Sequence, residues 1–165
     1  ADRAERIARA CDWAKHGIHL VFVHADGAGD PADAIESRVL PGVRLAQARA
    51  ASALGAVPVV PVRETEAWVI SDLDAMAHAT NSGVCDRIRV EIGGRSVESV
   101  LDPKAVLASG LRCFRGRRRS SADVAGIFPI LGRTISLDAL RRLNSFQATE
   151  TALREALQEV GLAPS

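Results

Sequence analysis

Acidic side chains follow two apolar stretches of the sequence, and their chemistry suits metal binding. Asp26 lies three residues after the stretch 18–23, Asp30 lies four residues further on, and Glu66 follows the stretch 57–62. If the two stretches are neighbouring parallel strands, Asp26 and Glu66 meet at the carboxyl edge of the sheet, where ligands bind in such folds. Mg²⁺ and Mn²⁺ bind through one or two carboxylates together with water and phosphate oxygens. The pattern therefore predicts a metal site made of Asp26, Asp30 and Glu66.

Each of these acids also has a structural interpretation. Asp30 precedes Pro31 and Asp33, a sequence typical of a helix start in which the first Asp caps the helix. Asp26 occupies a turn, where acids are common. Glu66, like Glu64, lies in the first turn of its predicted helix, where an acid complements the helix dipole. Asp26, Asp30 and Glu66 therefore each have a metal-binding and a structural interpretation.

Two further residues lie next to these acids. Arg63 either holds a phosphate or pairs with Glu66 or Asp26, and His24 either packs at the end of the first strand or acts beside Asp26. The turn at Gly27 lacks the Lys-Ser/Thr of a P-loop and the spacing of a dinucleotide fingerprint. The sequence shows no Ser-His-Asp or Cys-His arrangement.

Basic residues are concentrated late in the chain. Residues 1–110 contain 12 basic and 15 acidic side chains, whereas residues 111–165 contain 9 basic and 5 acidic ones. Five arginines within eight residues predict a contact with a nucleic-acid backbone, and Phe114 between them is placed to stack on a base. A solvated basic loop is the alternative interpretation. The cluster consists of Arg112, Arg115, Arg117, Arg118 and Arg119.

Composition restricts the class of protein. The 165 residues are 47% hydrophobic and 25% charged, which is typical of a globular domain. No apolar run approaches the roughly 20 residues that span a bilayer, and the first residues lack the apolar centre of a signal peptide. Three cysteines far apart in the sequence argue against a disulfide framework or a cysteine zinc site. A cytoplasmic location is therefore expected.

The elements that must position the acids alternate between helix and strand. The sequence predicts a helix over 3–15, a strand over 18–23 and a second helix from Asp30 to about Leu54 with a bend at Pro41-Gly42. A second strand over 57–62 and a helix from Glu64 to about Met76 follow. This order predicts parallel strands with right-handed crossovers, and hence an α/β sheet.

The remainder of the chain is predicted to be mostly helical. A half-exposed strand is expected over 87–92, where polar and apolar residues alternate. The other elements are helices, expected from Asp102-Pro103 onward and over 122–131, 137–143 and 145–160. We expect an α/β core over 1–78 and a mostly helical extension over 79–165 packed on it as a single structural unit.

Three segments resemble a bacterial family of TOPRIM-related proteins of unknown function. The first is Pro61-Val62-Arg63-Glu64-Thr65-Glu66-Ala67-Trp68-Val69-Ile70-Ser71-Asp72, which is similar to the family's Arg-x-x-Glu-Ala-Trp signature. The others are His24-Ala25-Asp26-Gly27 and Leu140-Arg141-Arg142-Leu143-Asn144-Ser145-Phe146-Gln147. Members look like the AbiL-type component of phage abortive infection and are often encoded beside an ABC-class ATPase.

The resemblance implies a Rossmann-like TOPRIM-type parallel sheet flanked by helices. TOPRIM domains hold Mg²⁺ with a glutamate after the first strand and an Asp-x-Asp pair after a later one. Carried onto this sequence, the Asp-x-Asp pair begins at Asp26, and its second position is Ala28, which cannot bind a metal. Glu66 is the acid of the later Arg-x-x-Glu-Ala-Trp signature, and Arg63 is the first residue of that signature. The family's first strand and Glu-Gly turn have no counterpart here, so the expected sheet lacks its first strand.

These expectations give a first hypothesis and two alternatives. The first is Mg²⁺- or Mn²⁺-dependent phosphodiester cleavage of nucleic acid, in phage defence, with Asp26, Glu66 and Arg63 at the catalytic site. The second is a non-catalytic module that keeps the fold and binds an ATPase or another protein, and the third is a small-molecule phosphate binder that uses the turn 27–29. The expected partners are nucleic acid, an ABC-class ATPase and a second copy of the chain, and no membrane.

Overall fold

The computed structural model describes residues 2–13, 18–50, 53–80, 86–115 and 126–162. The chain is a mixed α/β protein, mostly helical, with one two-stranded parallel sheet in the described part. It divides into two compact units. Unit 1 comprises Ala1–Val62 and Asn144–Ser165, and unit 2 comprises Arg63–Leu143. Among the described residues, no helix combines the length and apolar character that crossing a membrane requires.

Unit 1 contains the predicted alternation of helix and strand. Its elements are α1 (Arg3–Trp13), β1 (Leu20–His24), α2 (Pro31–Ala34), a π-helical segment (Ile35–Val39), α3 (Leu40–Arg49), β2 (Gly55–Val59) and, from the end of the chain, α10 (Asn144–Glu159). The predictions of a first helix, two strands and a long helix from Asp30 are confirmed. The long helix ends at Arg49, before the expected Leu54.

The two strands pair in parallel, as predicted. Leu20 lies opposite Gly55 and His24 opposite Val59. Alternate residues of a parallel strand direct their backbone groups to opposite sides. Gly55 donates to His19 and Val59 accepts from Ala25, which places Pro58 on the side of β2 away from β1. A proline at that position costs the sheet no hydrogen bond.

Pro41 explains the π-helical segment within the long helix. Proline lacks an N–H, and its ring clashes with the carbonyl four residues earlier. The helix adjusts just before Pro41, where Leu40 N–H donates to the carbonyl of Ile35, five residues back. The interruption predicted at Pro41-Gly42 thus takes the form of a wider turn, after which α3 continues to Arg49.

Helices cover both faces of the small sheet. On one face Val23 joins a buried cluster with Val39 and Val43 of the long helix, against which Ile7 of α1 packs. On the other face α10 packs closely on β2. A Cβ added to Gly55 would lie 2.9 Å from the carbonyl oxygen of Ala156 in α10. This arrangement buries Val23 and Val57, whereas Phe22 in the middle of β1 is 57% exposed. The carboxyl edge of the sheet is the place where loops can form a site.

Unit 2 is helical in its described part. Its elements are α4 (Glu66–Val69), α5 (Leu73–Thr80), α6 (Asp86–Ile92), a 3₁₀ turn (Val97–Ser99), α7 (Pro103–Arg115), α8 (Phe128–Thr134) and α9 (Leu137–Leu140). Its core consists of Val69, Ile70, Met76, Ile88, Ile92, Val100, Val106, Leu107, Leu111, Ile127 and Leu131. The predicted start at Asp102-Pro103 is confirmed, since the Asp102 carboxylate accepts from the N–H of Ala105 at 2.7 Å.

The strand predicted over 87–92 is wrong, because this segment forms helix α6. Ile88 and Ile92 are both buried, whereas Val90 between them is 76% exposed. Residues four apart share a helix face, so this pair fits a helix as well as an alternating strand. Packing decides the outcome: Ile88 lies against Gly110 of α7, where a Cβ would overlap its Cδ1 atom.

The helix predicted from Glu64 to Met76 is divided into two. α4 ends at Val69, and α5 begins at Leu73. Asp72 causes the new start, because its carboxylate accepts from the N–H of Ala75 at 2.9 Å. An aspartate that caps a helix satisfies amides that have no partner in the first turn.

Candidate functional site

The loop after β1 is joined to the segment after β2 by backbone hydrogen bonds. Gly27 N–H donates to the carbonyl of Pro61 at 3.0 Å, and Gly29 N–H donates to that of Val62 at 2.7 Å. A Cβ on Gly27 would lie 2.4 Å from the oxygen of Pro61 and 2.6 Å from that of Val62. Only glycine fits this contact, and the contact fixes the backbone on either side of the loop.

The turn itself uses a left-handed backbone. Ala28 has φ +52° and Gly29 has φ +98°. The turn ends at Asp30, whose carboxylate accepts from the N–H of Asp33 at 3.0 Å and so caps α2. The predicted capping role of Asp30 is therefore confirmed. One of its oxygens is engaged in the cap, and its possible contribution to a metal stays a prediction.

Asp26 projects from the carboxyl end of β1 and is accessible. Its side chain is 55% exposed, and one carboxylate oxygen lies 3.6 Å from Nε2 of His24. Its neighbours Ala25 and Gly27 are buried. A rigid backbone thus presents one exposed carboxylate beside one imidazole, an arrangement able to bind a cation or to exchange a proton.

Two arginines that the sequence analysis did not single out bind the same strand end. Arg3 of α1 donates from Nη2 to the carbonyl of His24 at 2.7 Å and from Nε to that of Arg38 at 2.9 Å. Arg38, in the π-helical segment, donates from Nη1 to the carbonyl of Asp26 at 3.1 Å. Arg38 lies eight residues after Asp30, about two helical turns. That spacing places it on the same helix face as the cap.

The donor set fits a divalent cation only in part. Among the described residues, no group of three or more His, Cys, Asp or Glu side chains is arranged to hold a metal ion. Mg²⁺ commonly needs one or two carboxylates and takes its other ligands from water and substrate phosphates. The carboxylate oxygens of Asp26 and the second oxygen of Asp30 are ligands of that chemical type. A metal ion held by these two residues stays a prediction.

The acids and the arginine after β2 belong to unit 2. Arg63 and Glu66 are half-buried, and Glu66 is the first residue of α4. In the described part of unit 2, Arg63 and Glu66 form no ion pair with each other. Asp26 belongs to unit 1 and Glu66 to unit 2, so the predicted proximity of these two acids stays a prediction.

The arginine cluster lies mostly outside the described residues. Arg112 and Arg115 belong to the last turns of α7. Arg117, Arg118 and Arg119 fall outside the described part of the chain. The proposed nucleic-acid contact at these five residues stays a prediction.

Unit 2 has a polar cleft of about 570 Å³. Asp72 is built into its wall: one oxygen caps α5, and the other accepts from the N–H of Ser136 at 3.0 Å. Burial raises the pKa of Asp72, but the hydrogen bonds from Ala75 and Ser136 outweigh this effect and hold the pKa below its ordinary value of 3.8. The carboxylate is thus a structural anchor. The cleft is lined by Asp72, Asp74, Ala75, His78, Thr134, Ser136, Ala139 and Arg142.

Comparisons of this chain with protein families, curated proteins and solved structures find no match.

Proposed function

We propose that the chain is a TOPRIM-like module for divalent-metal-dependent cleavage of phosphodiester bonds in nucleic acid, acting in phage defence. The observation that carries the proposal is the carboxylate of Asp26, exposed at the carboxyl end of a parallel strand. The backbone around it is held by the Gly27–Pro61 hydrogen bond and by the bond from Arg38. Such preorganisation suits a group that must keep one position while substrate binds.

Each residue has a distinct role in this proposal. Asp26 would hold Mg²⁺ or Mn²⁺, with the unused oxygen of Asp30 and with Glu66 as further ligands. The bound ion would polarise the phosphate and activate water. His24, 3.6 Å from Asp26, is placed to accept a proton at Nε2 or to hold the carboxylate in position. Arg63 would neutralise phosphate charge, and the five arginines of residues 112–119 would contact the nucleic-acid backbone.

Calorimetric titration of Mn²⁺ tests the metal site. We expect the unaltered chain to bind Mn²⁺ and Asp26→Asn to lose binding. Asp33→Asn is the matched control, because it removes the same charge from an exposed acid of α2 whose carboxylate has no role in the proposed site. Equal binding by the unaltered chain and Asp26→Asn would refute the role of Asp26.

A gain-of-function variant sharpens this test. Ala28 occupies the second position of the Asp-x-Asp pair that the resemblance implies, and its φ of +52° suits aspartate at least as well as alanine. Ala28→Asp should therefore fold and bind Mn²⁺ more tightly than the unaltered chain. Cleavage of labelled DNA and RNA with Mg²⁺ present would then be compared among the same variants. Unchanged Mn²⁺ affinity in a folded Ala28→Asp variant would contradict a metal site at this turn.

A non-catalytic module that binds an ATPase or another protein is the second candidate. Ala28 favours it, because alanine offers no metal ligand, and so does the use of Asp30 as a helix cap. Under this hypothesis the Mn²⁺ titration gives no binding and no variant cleaves nucleic acid. The phosphate binder built on the turn 27–29 has less support. The amides of Gly27, Gly29 and Asp30 already donate to backbone carbonyls.

A further inference from the structure

We infer that Arg3 and Arg38 form a phosphate-binding subsite beside Asp26. Both side chains are exposed, and both are held at the carboxyl end of β1 by backbone carbonyls rather than by acids. The carbonyls that hold them belong to His24 and Asp26, two residues apart on one strand. The inference rests on the proposed function, in which the substrate carries phosphate groups.

The two guanidinium groups keep their charge and part of their hydrogen-bonding capacity. Neither forms an ion pair with an acid among the described residues. A guanidinium has five N–H donors in a planar fork. Arg3 uses Nε and one N–H of Nη2, and Arg38 uses one N–H of Nη1. Each therefore retains donors that can bind a phosphate through two N–H groups at once.

Arg49 provides the contrast within unit 1. Its Nη1 and Nη2 atoms lie 3.1 and 2.9 Å from the two oxygens of Glu5, and Nη1 lies 3.6 Å from Asp12. These two carboxylates neutralise Arg49 and occupy the donors that a phosphate would need. Arg3 is held by two hydrogen bonds to carbonyls and Arg38 by one, and their charge is not compensated by a described acid. Their fixed position also lowers the conformational entropy that binding an anion would cost.

The first test follows the arginine Nε–H signals by NMR while inorganic phosphate is added in the presence of EDTA. We expect the signals of Arg3 and Arg38 to shift with one common dissociation constant, while that of Arg49 does not. No shift at Arg3 and Arg38, or an equal shift at Arg49, would overturn the inference. This measurement needs no variant, so it holds even where a substitution disturbs folding.

Variants then test the contribution of each arginine. Arg3→Gln and Arg38→Gln should each weaken phosphate binding about tenfold, the effect of losing one charge-assisted contact. Arg9→Gln on α1 removes the same charge from an exposed position and should leave binding unchanged. Equal weakening in all three variants would overturn the subsite, because it would show a general effect of charge.

Asp26→Asn separates this inference from the proposed function. Without metal, its carboxylate repels a phosphate held by Arg3 and Arg38, so Asp26→Asn should bind phosphate more tightly while it loses Mn²⁺. Weaker phosphate binding in Asp26→Asn would contradict the inferred position. If Mn²⁺ binding fails while phosphate binding survives, only the metal role falls.

A 5′-phosphorylated oligonucleotide and its unphosphorylated counterpart then identify the kind of phosphate that is bound. If only the phosphorylated oligonucleotide shifts the signals of Arg3 and Arg38, the subsite binds a terminal phosphate. If both oligonucleotides shift them, it binds backbone phosphates.

Discussion

Replacing Gly27 by alanine should destabilise unit 1 without altering any side chain of the proposed site. Gly27 does not have a positive φ, so the cost is steric rather than conformational. The added Cβ would lie 2.4 and 2.6 Å from two backbone oxygens, which cannot move away like the end of a flexible side chain. The loop must therefore separate from the segment after β2. This separation breaks the hydrogen bonds from Gly27 and Gly29, which measure 3.0 and 2.7 Å.

The size of the effect follows from these contacts. The net contribution of the two hydrogen bonds to stability is about 2 kcal/mol, and overpacking costs about 1–3 kcal/mol more. We expect Gly27→Ala to lower the free energy of unfolding by about 3 kcal/mol or more, measured by urea unfolding with far-UV circular dichroism. Hydrogen exchange of the Gly29 amide should accelerate in parallel.

Gly132→Ala is the matched control for Gly27→Ala. Gly132 lies in α8, and a Cβ there has no neighbour within 4 Å. Because alanine is the better helix former, this substitution should raise stability by up to about 1 kcal/mol. A Gly27→Ala chain whose stability lies within about 0.5 kcal/mol of the unaltered one, the usual range for surface substitutions, would refute the reasoning.

Two further predictions concern the titratable groups. Asp72→Ala should lower the stability of unit 2 by about 2 kcal/mol at pH 7, and Asp72→Asn, which keeps the cap, by about half of that. Because folding lowers the pKa of Asp72 below 3.8, the part of its contribution that depends on its charge is present above that value and is lost as the pH falls through the lower pKa of the folded state. Urea unfolding at pH 7 and pH 3, followed by Trp68 fluorescence in a Trp13→Phe background, checks this, and an equal loss at both pH values would contradict it. Burial, with a smaller effect of Asp12, raises the pKa of the Cys11 thiol, so Cys11 in the folded chain should react with iodoacetamide at pH 8 more slowly than in urea. Peptide mass spectrometry measures both rates, and equal rates would disprove the protection.

Local signals in the sequence predicted the elements around the strand end. The apolar runs identified both strands, and the Asp30-Pro31 and Asp102-Pro103 pairs identified two helix starts. These predictions succeeded because caps and prolines act through the backbone within a few residues. The prediction of a strand over 87–92 failed because Ile88 and Ile92 satisfy both a strand and a helix pattern. Only their packing in the core of unit 2 distinguishes the two.

The composition of the candidate site depended on contacts that no local pattern reveals. Asp26 was identified from its place after a strand, and its exposure agrees with that interpretation. Arg3 and Arg38 were missed because their partners are backbone carbonyls 21 and 12 residues away along the chain. A carbonyl is present at every residue, so the sequence carries no sign of which one an arginine will bind. Hydrogen bonds of this kind require the tertiary structure.

The order of unit 1 along the chain has a consequence for its synthesis. Its sheet is made early, but α10, which packs on Gly55 through Ala156 and donates from Thr149 to the carbonyl of Pro58 at 3.2 Å, is made only after all of unit 2. Because translation runs from the amino terminus, every residue of unit 2 exists before unit 1 can be completed. A ribosome that pauses near residue 143 would therefore carry every residue of unit 2 and a strand pair that still lacks α10.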